Sequence, residues 1–129
     1  MPTPEANTLL VRQFYEHLAA SDLPAALALL APGFRLVQAP SLPYGGEWVG
    51  ATGLADFFRA FFSYWAAFSS EDVAYFAADD TVVATSTGVG TTHAGQVRRL
   101  PMVQVYRLRE GQLASAQPFY FDTAALMGS

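Results

Sequence analysis

The stretch Gly53-Leu-Ala-Asp-Phe-Phe-Arg-Ala-Phe-Phe-Ser-Tyr-Trp-Ala-Ala-Phe68 decides how this chain has to fold. Turned at about 100° per residue, it gathers Leu54, Phe57, Phe58, Phe61, Phe62, Tyr64, Trp65 and Phe68 on one broad face. Asp56, Arg59, Ala60, Ser63, Ala66 and Ala67 fall on the other. The spacing predicts an amphipathic helix over 53–68 with an aromatic stripe. Burying one such ring removes roughly 150–250 Å² from water, on the order of 1.5–3 kcal/mol. A helix this apolar on one side needs a concave partner, and the rest of the chain offers a sheet. The rings have two readings, plain core or walls of a ligand cavity between helix and sheet. The periodicity does not divide them.

Composition narrows the class. The chain has 129 residues, enough for one domain (1–129) with a real core, and it is 52% hydrophobic but only 14% charged. Net charge is −4, with seven arginines and no lysine. Nucleic acid and anionic membranes attract a basic field that this chain lacks, so neither is an expected partner. With no cysteine, disulfides, thiolate ligands and a cysteine nucleophile are excluded. The start Met1-Pro-Thr-Pro-Glu5 lacks a basic segment followed by an apolar run, and no run reaches the about 18 apolar residues of a membrane span. A cytoplasmic protein is the expectation.

Outward from the aromatic stretch, residues 5–20 read as a helix with Leu10, Val11, Phe14, Tyr15 and Leu18 on its apolar face. Ser21-Asp22-Leu23-Pro24 stops it and caps a second, short helix over 23–30, which Pro32-Gly33 ends. A strand is predicted over 34–39, a loop over 40–46 and a short extended piece over 47–49. After Phe68 the pattern turns to strands over 71–78, 81–92, 98–109 and 112–121. Glu110-Gly111 marks a tight hairpin, and Asp122 opens a final helical turn over 122–126. Helices followed by an antiparallel meander define an α+β domain.

That order, with Phe14–Leu30, Leu42-Pro-Tyr-Gly-Gly-Glu-Trp-Val-Gly50 and Phe119-Tyr-Phe-Asp-Thr-Ala-Ala-Leu126, resembles the nuclear transport factor 2-like superfamily in its SnoaL-like, polyketide-cyclase-like branch. The resemblance spans nearly the whole chain. It implies a cone: a curved antiparallel or mixed sheet wrapped around three helices, with a deep pocket at the open end, often paired through the outer sheet face. Ketosteroid isomerase, of the same superfamily, uses a carboxylate base, a tyrosine and a neutral carboxylic acid. The carry-over places these on Gln38, Phe14 and Gln104. None can do the work, since phenylalanine donates no hydrogen bond and an amide neither takes nor releases a proton near neutral pH. The Asp–Arg–Asp set of epoxide hydrolases of this fold also fails, because no aspartate lies between Asp80 and Asp122.

Strand alternation puts Met102, Gln104, Tyr106 and Leu108 on one face, which the resemblance makes concave. Pro118 and Tyr120 join them, and Thr87, Val89, Thr91 and His93 are expected to share that face. Gln38 enters from the first strand, Phe14, His17 and Leu18 from the first helix, and Trp48 and Phe58 complete the candidate ligand-binding set. His93 reads as a general base or as an exposed turn residue. His17 reads as a catalytic or a hydrogen-bonded structural histidine, and Asp122 as an acid or a helix cap. No residue set suits a metal, and no cofactor is implied. Two functions follow: an enzyme of cyclase, isomerase or dehydratase type acting on a small lipophilic substrate, or a non-catalytic module for ligand binding or dimerisation. A homodimer is expected in either case, since an outer face carrying Val103, Val105 and Ala114 needs cover.

Overall fold

The computed structural model describes residues 2–127. Helix α1 (Pro4–Ala19) leads through α2 (Leu23–Leu27) to β1 (Leu30–Gln38) and β2 (Gly46–Val49). Helix α3 (Gly50–Tyr64) precedes β3 (Trp65–Ala78), β4 (Thr81–Thr92), β5 (Val97–Arg109) and β6 (Gln112–Tyr120), and α4 (Ala124–Met127) closes the chain. The six strands form one sheet in the order β2-β1-β6-β5-β4-β3. Only the β1–β6 pairing is parallel. This is the mixed α+β cone that the sequence predicted.

Local chemistry accounts for the helix starts. The Thr3 hydroxyl accepts the Ala6 N–H at 3.1 Å, and the Asp22 carboxylate accepts that of Ala25 at 3.2 Å; each cap is followed by a proline in the first turn. One polar side chain on α1 is buried: Asn7, which donates to the Asp79 carbonyl at 3.2 Å and ties the helix to the β3–β4 turn.

Several boundaries differ from the expectation. The second helix stops at Leu27, and Pro32-Gly33 lies inside β1 instead of ending a helix. The pairing of β1 with β6 shifts between Leu30 and Arg35. Such a bulge tolerates a proline without an N–H, beside Gly33 at φ +77°. The aromatic helix also ends earlier, at Tyr64. Trp65 is already extended, at φ −103° and ψ 132°, and it opens β3.

A bulge between Trp65 and Ala67 lets Trp65 and Phe68, three residues apart, both face inward. The inner face of β4 receives them on glycines. A Cβ on Gly90 would lie 2.6 Å from the Trp65 ring, and one on Gly88 would lie 2.6 Å from the Phe68 ring. Trp65 is completely buried there.

The loop between β1 and β2 is held by its own packing. Leu42 and Tyr44 are buried, and the Tyr44 ring meets Phe57, Phe61 and Tyr64 edge-on. Gly45 is required, because a Cβ would fall 2.2 Å from the Ala39 carbonyl oxygen.

The glycine contacts give a stability prediction. Gly90→Ala should destabilise the fold by about 1–3 kcal/mol, the usual range for overpacking, because the Trp65 indole has no room to retreat. Gly95→Ala is the wrong control, since Gly95 has φ +88°; Thr91→Ala, on the opposite face, should cost less. Urea denaturation midpoints decide it, and a Gly90→Ala variant as stable as the parent would refute the tight seat.

Candidate functional site

Between the inner sheet face and helices α1 and α3 lies a cavity of about 730 Å³. Phe14, Tyr15 and Leu18 of α1 and Leu54, Phe57, Phe58 and Phe61 of α3 form one wall. The opposite wall is the sheet: Phe34, Leu36 and Gln38 from β1, Ala116, Pro118 and Tyr120 from β6, and Met102, Gln104 and Tyr106 from β5. Its exposed lining residues, Ala19, Ser21, Phe62, Ala67, Ser69 and Ser70, mark a mouth between the end of α1 and the junction of α3 with β3.

Two hydrogen-bonded pairs supply the polarity of the interior. The Tyr120 hydroxyl donates to Gln38 Oε1 at 3.0 Å, and the Tyr106 hydroxyl donates to Gln104 Oε1 at 2.8 Å. Behind the first pair, the Trp65 indole N–H donates to the Tyr44 hydroxyl oxygen at 3.2 Å, and Tyr44 neighbours Tyr120. The Tyr15 hydroxyl and Ser86 Oγ are buried with no hydrogen-bond partner. Tyr15 meets Tyr75 and Tyr106 edge-on.

Burial sets the ionisation of these phenols. A phenolate in an apolar site loses its hydration, so the neutral form is favoured. Burial pushes Tyr15 up to about 12 and raises Tyr106 and Tyr120 too. All three are therefore neutral hydrogen-bonding groups in ordinary solution.

Of the residues singled out from the sequence, Phe14, Leu18, Gln38, Phe58, Met102, Gln104, Tyr106 and Tyr120 line the cavity. Trp48 does not. Its indole donates to the Tyr44 carbonyl at 3.2 Å, and its ring packs edge-on against Phe57, behind the cavity wall. The three titratable candidates also lie elsewhere. His93 is exposed, with Nε2 at 3.1 Å from the Ser63 carbonyl. His17 is half-buried on α1 and outside the lining. Asp122 is exposed and accepts the Ala124 N–H at 3.1 Å, capping the last turn.

The register of β4 corrects a further expectation. Met102 pairs with Ser86, Gln104 with Ala84 and Tyr106 with Val82, and directly paired residues share a face. The inner residues of β4 are thus the even-numbered ones; Thr87, Val89 and Thr91 point outward. Sequence reasoning missed Tyr15 and Tyr44 as part of the site. Tyr15 reads from the sequence as one more residue on the apolar face of the first helix, and Tyr44 sits in a Pro/Gly loop where periodicity carries no signal.

A six-stranded curved sheet folded over helices, with an apolar hollow between them, defines the nuclear transport factor 2-like class of α+β proteins. Residues 11–116 match the model of the SnoaL-like domain, and the chain belongs to that family. Among solved structures, a nuclear transport factor 2-like protein of unknown function from Burkholderia pseudomallei is 28% identical, with a TM-score of 0.87 over 95% of each chain. A putative polyketide cyclase from Xanthomonas campestris pv. campestris is 24% identical, with a TM-score of 0.80 over 91% of each chain. TerC, co-crystallised with polyporic acid, is 19% identical, with a TM-score of 0.88 over 95% of each chain. No curated protein matches the sequence.

The raised phenols predict a falling stability in alkali. Below the usual value of 10.0, folded and unfolded chains hold the Tyr15 proton alike. Between there and about 12 the unfolded chain has lost it while the folded chain keeps it. Unfolding therefore becomes easier as pH rises, by up to about 1.4 kcal/mol per pH unit for each such group. Urea midpoints between pH 8 and 11.5 should be level at first and then drop, less steeply in Tyr15→Phe. Parallel curves for the two proteins would contradict the assignment.

Proposed function

We propose that this SnoaL-like domain binds a small, flat, uncharged lipophilic molecule in its cavity and holds it without proton-transfer chemistry. The observation that carries this reading is the lining itself: among the described residues, no carboxylate, imidazole or guanidinium lines the cavity. General acid–base catalysis needs a group that titrates near the working pH. The phenols here hold their protons too firmly to act as bases. An enzyme reading needs His93, His17 or Asp122 turned inward, and all three lie outside.

Size and chemistry favour a bound small molecule. Ligand sites usually enclose about 300–1,000 Å³ and combine apolar walls with a few fixed polar groups. Phenylalanines from α3 face Pro118 and Met102 across the cavity, which suits a thin, flat occupant. The fold neighbour TerC co-crystallised with polyporic acid supplies one probe compound.

Nile red, a neutral flat dye, should bind one per chain with brightened emission. Leu18→Trp and Ala116→Phe, which fill the cavity from opposite walls, should each weaken it by about tenfold or more. Polyporic acid, whose acid group is ionised near neutral pH, should compete only weakly. Dye binding unaffected by both substitutions would remove the proposal, and so would a steady chemical conversion of the bound compound that Gln38→Ala abolishes.

We also propose that two copies pair through the outer sheet face. Val103 and Phe119 stand directly opposite each other there, and both are exposed, as are Val97 and Phe121. Contiguous apolar surface of this kind favours self-association. Sedimentation equilibrium at micromolar concentration should give a dimer, and Val103→Glu with Phe119→Glu a monomer. A monomeric parent protein would defeat this.

A further inference from the structure

The direction of the hydrogen bonds inside the cavity restricts what can bind, and this argument rests on the binding role proposed above. A glutamine amide offers one acceptor oxygen and two N–H donors. In both cavity glutamines the oxygen already accepts one hydrogen bond, Gln38 Oε1 from Tyr120 and Gln104 Oε1 from Tyr106. A phenol carries a single proton, so each of these two tyrosines donates to its glutamine and has no second proton for a ligand. Among the described residues neither amide nitrogen has an acceptor, and both residues line the cavity.

The first pair sits in front of a second hydrogen bond. An indole N–H can only donate, so the Tyr44 oxygen receives the Trp65 proton at 3.2 Å, and Tyr44 neighbours Tyr120.

The two amides also share a row. Gln104 pairs with Pro118 on β6, and Leu36 pairs with Ala116 across the β1–β6 junction. Continuing that register by two residues puts Gln38 on the other side of Pro118. Three adjacent strands therefore carry Gln104, Pro118 and Gln38 side by side, the amides about 10 Å apart at the backbone. The proline between them has no N–H and presents a flat apolar surface. Apart from the phenols, the other polar lining side chains, Ser21, Ser69 and Ser70, are exposed at the mouth.

We infer that the cavity is a donor-lined site selective for flat neutral molecules that carry ketone, ester or ether oxygens as acceptors. A ligand that brings only an N–H can share an amide or phenol oxygen but leaves the amide N–H groups without acceptors. A hydrocarbon of the same shape fills the space but leaves the amide N–H groups without partners.

Three tricycles of nearly equal shape separate these cases: 9-fluorenone, which only accepts, carbazole, which only donates, and fluorene, which does neither. Tryptophan fluorescence titration of the intact protein should rank fluorenone about tenfold tighter than fluorene, with carbazole no better than fluorene. In the Gln38→Met, Gln104→Met double variant carried on a Tyr106→Phe, Tyr120→Phe background, which removes the phenol protons the lost amides would set free, the fluorenone-to-fluorene ratio should fall toward one. Equal affinity for all three in the parent protein, or carbazole binding most tightly, would overturn the donor-lined assignment while leaving the cavity-binding proposal standing. Failure of all three to bind would overturn both. The ranking in the parent protein decides the matter even where the double variant fails to fold.

Discussion

The architecture depends on two missing side chains. Gly88 and Gly90 on β4 leave depressions in the inner sheet face, and the Phe68 and Trp65 rings occupy them at distances that exclude any Cβ. Because Trp65 can settle into the sheet, the chain passes from α3 into β3 without an intervening loop. Helix α3 packs on β1 and β2 at one margin of the sheet and on β3 at the other. Phe61 meets Phe68 of β3 edge-on, and Phe57, Phe58 and Phe61 form one wall of the cavity. Ordinary side chains at 88 and 90 would push Trp65 outward and take α3 with it.

The same packing explains why charge stays outside. Every ion pair in the structure lies on the surface: Arg35 with Glu47, Arg59 with Asp56, and Arg99 with Glu71 among the described residues. An ionised group inside would need a partner to offset its lost hydration, and the aromatic walls offer none. Amides and phenols escape that cost, provided each hydrogen bond is made. Gln38 with Tyr120 and Gln104 with Tyr106 meet that condition at their oxygens as neutral pairs, with the amide N–H groups unpartnered among the described residues. Groups that exchange protons near neutral pH are missing from the cavity lining, among the described residues, for the same reason that charge stays outside.

Much of this could be read from the residues. The α+β order, the full extent of β4 and the hairpin at Glu110-Gly111 follow from turn chemistry and alternation, whereas the inward facing of Met102, Gln104, Tyr106 and Tyr120 came from the family resemblance. Misreadings arise where two periodicities coincide. A spacing of three brings Trp65 and Phe68 together on a helix, but a bulged strand does the same, and only the tertiary fit on Gly88 and Gly90 chooses between them. Alternation fixes which residues of β4 share a face but not which face is inner; that came from the register with β5. Pro32-Gly33 reads as a helix stop because a bulge opposite a parallel strand leaves no local signature. His93 and Asp122 drew notice as reactive residue types near strand ends, whereas their surroundings are a turn and a helix cap.

The three positions that resemble the isomerase machinery show how a fold keeps a cavity while changing its chemistry. Phenylalanine at 14 removes a donor from the helix wall, and amides at 38 and 104 replace groups that could gain or lose a proton. A lone carboxylate at Gln38 would be driven toward its neutral form by burial and would accept the Tyr120 hydrogen bond while offering a single proton of its own. The amide accepts the same hydrogen bond and still presents two N–H groups, at any pH the fold survives. Beside the isomerase set, whose polarity varies with pH, the two amides hold one polarity, and with each oxygen accepting from a tyrosine it is the amide N–H groups that are left without a partner among the described residues.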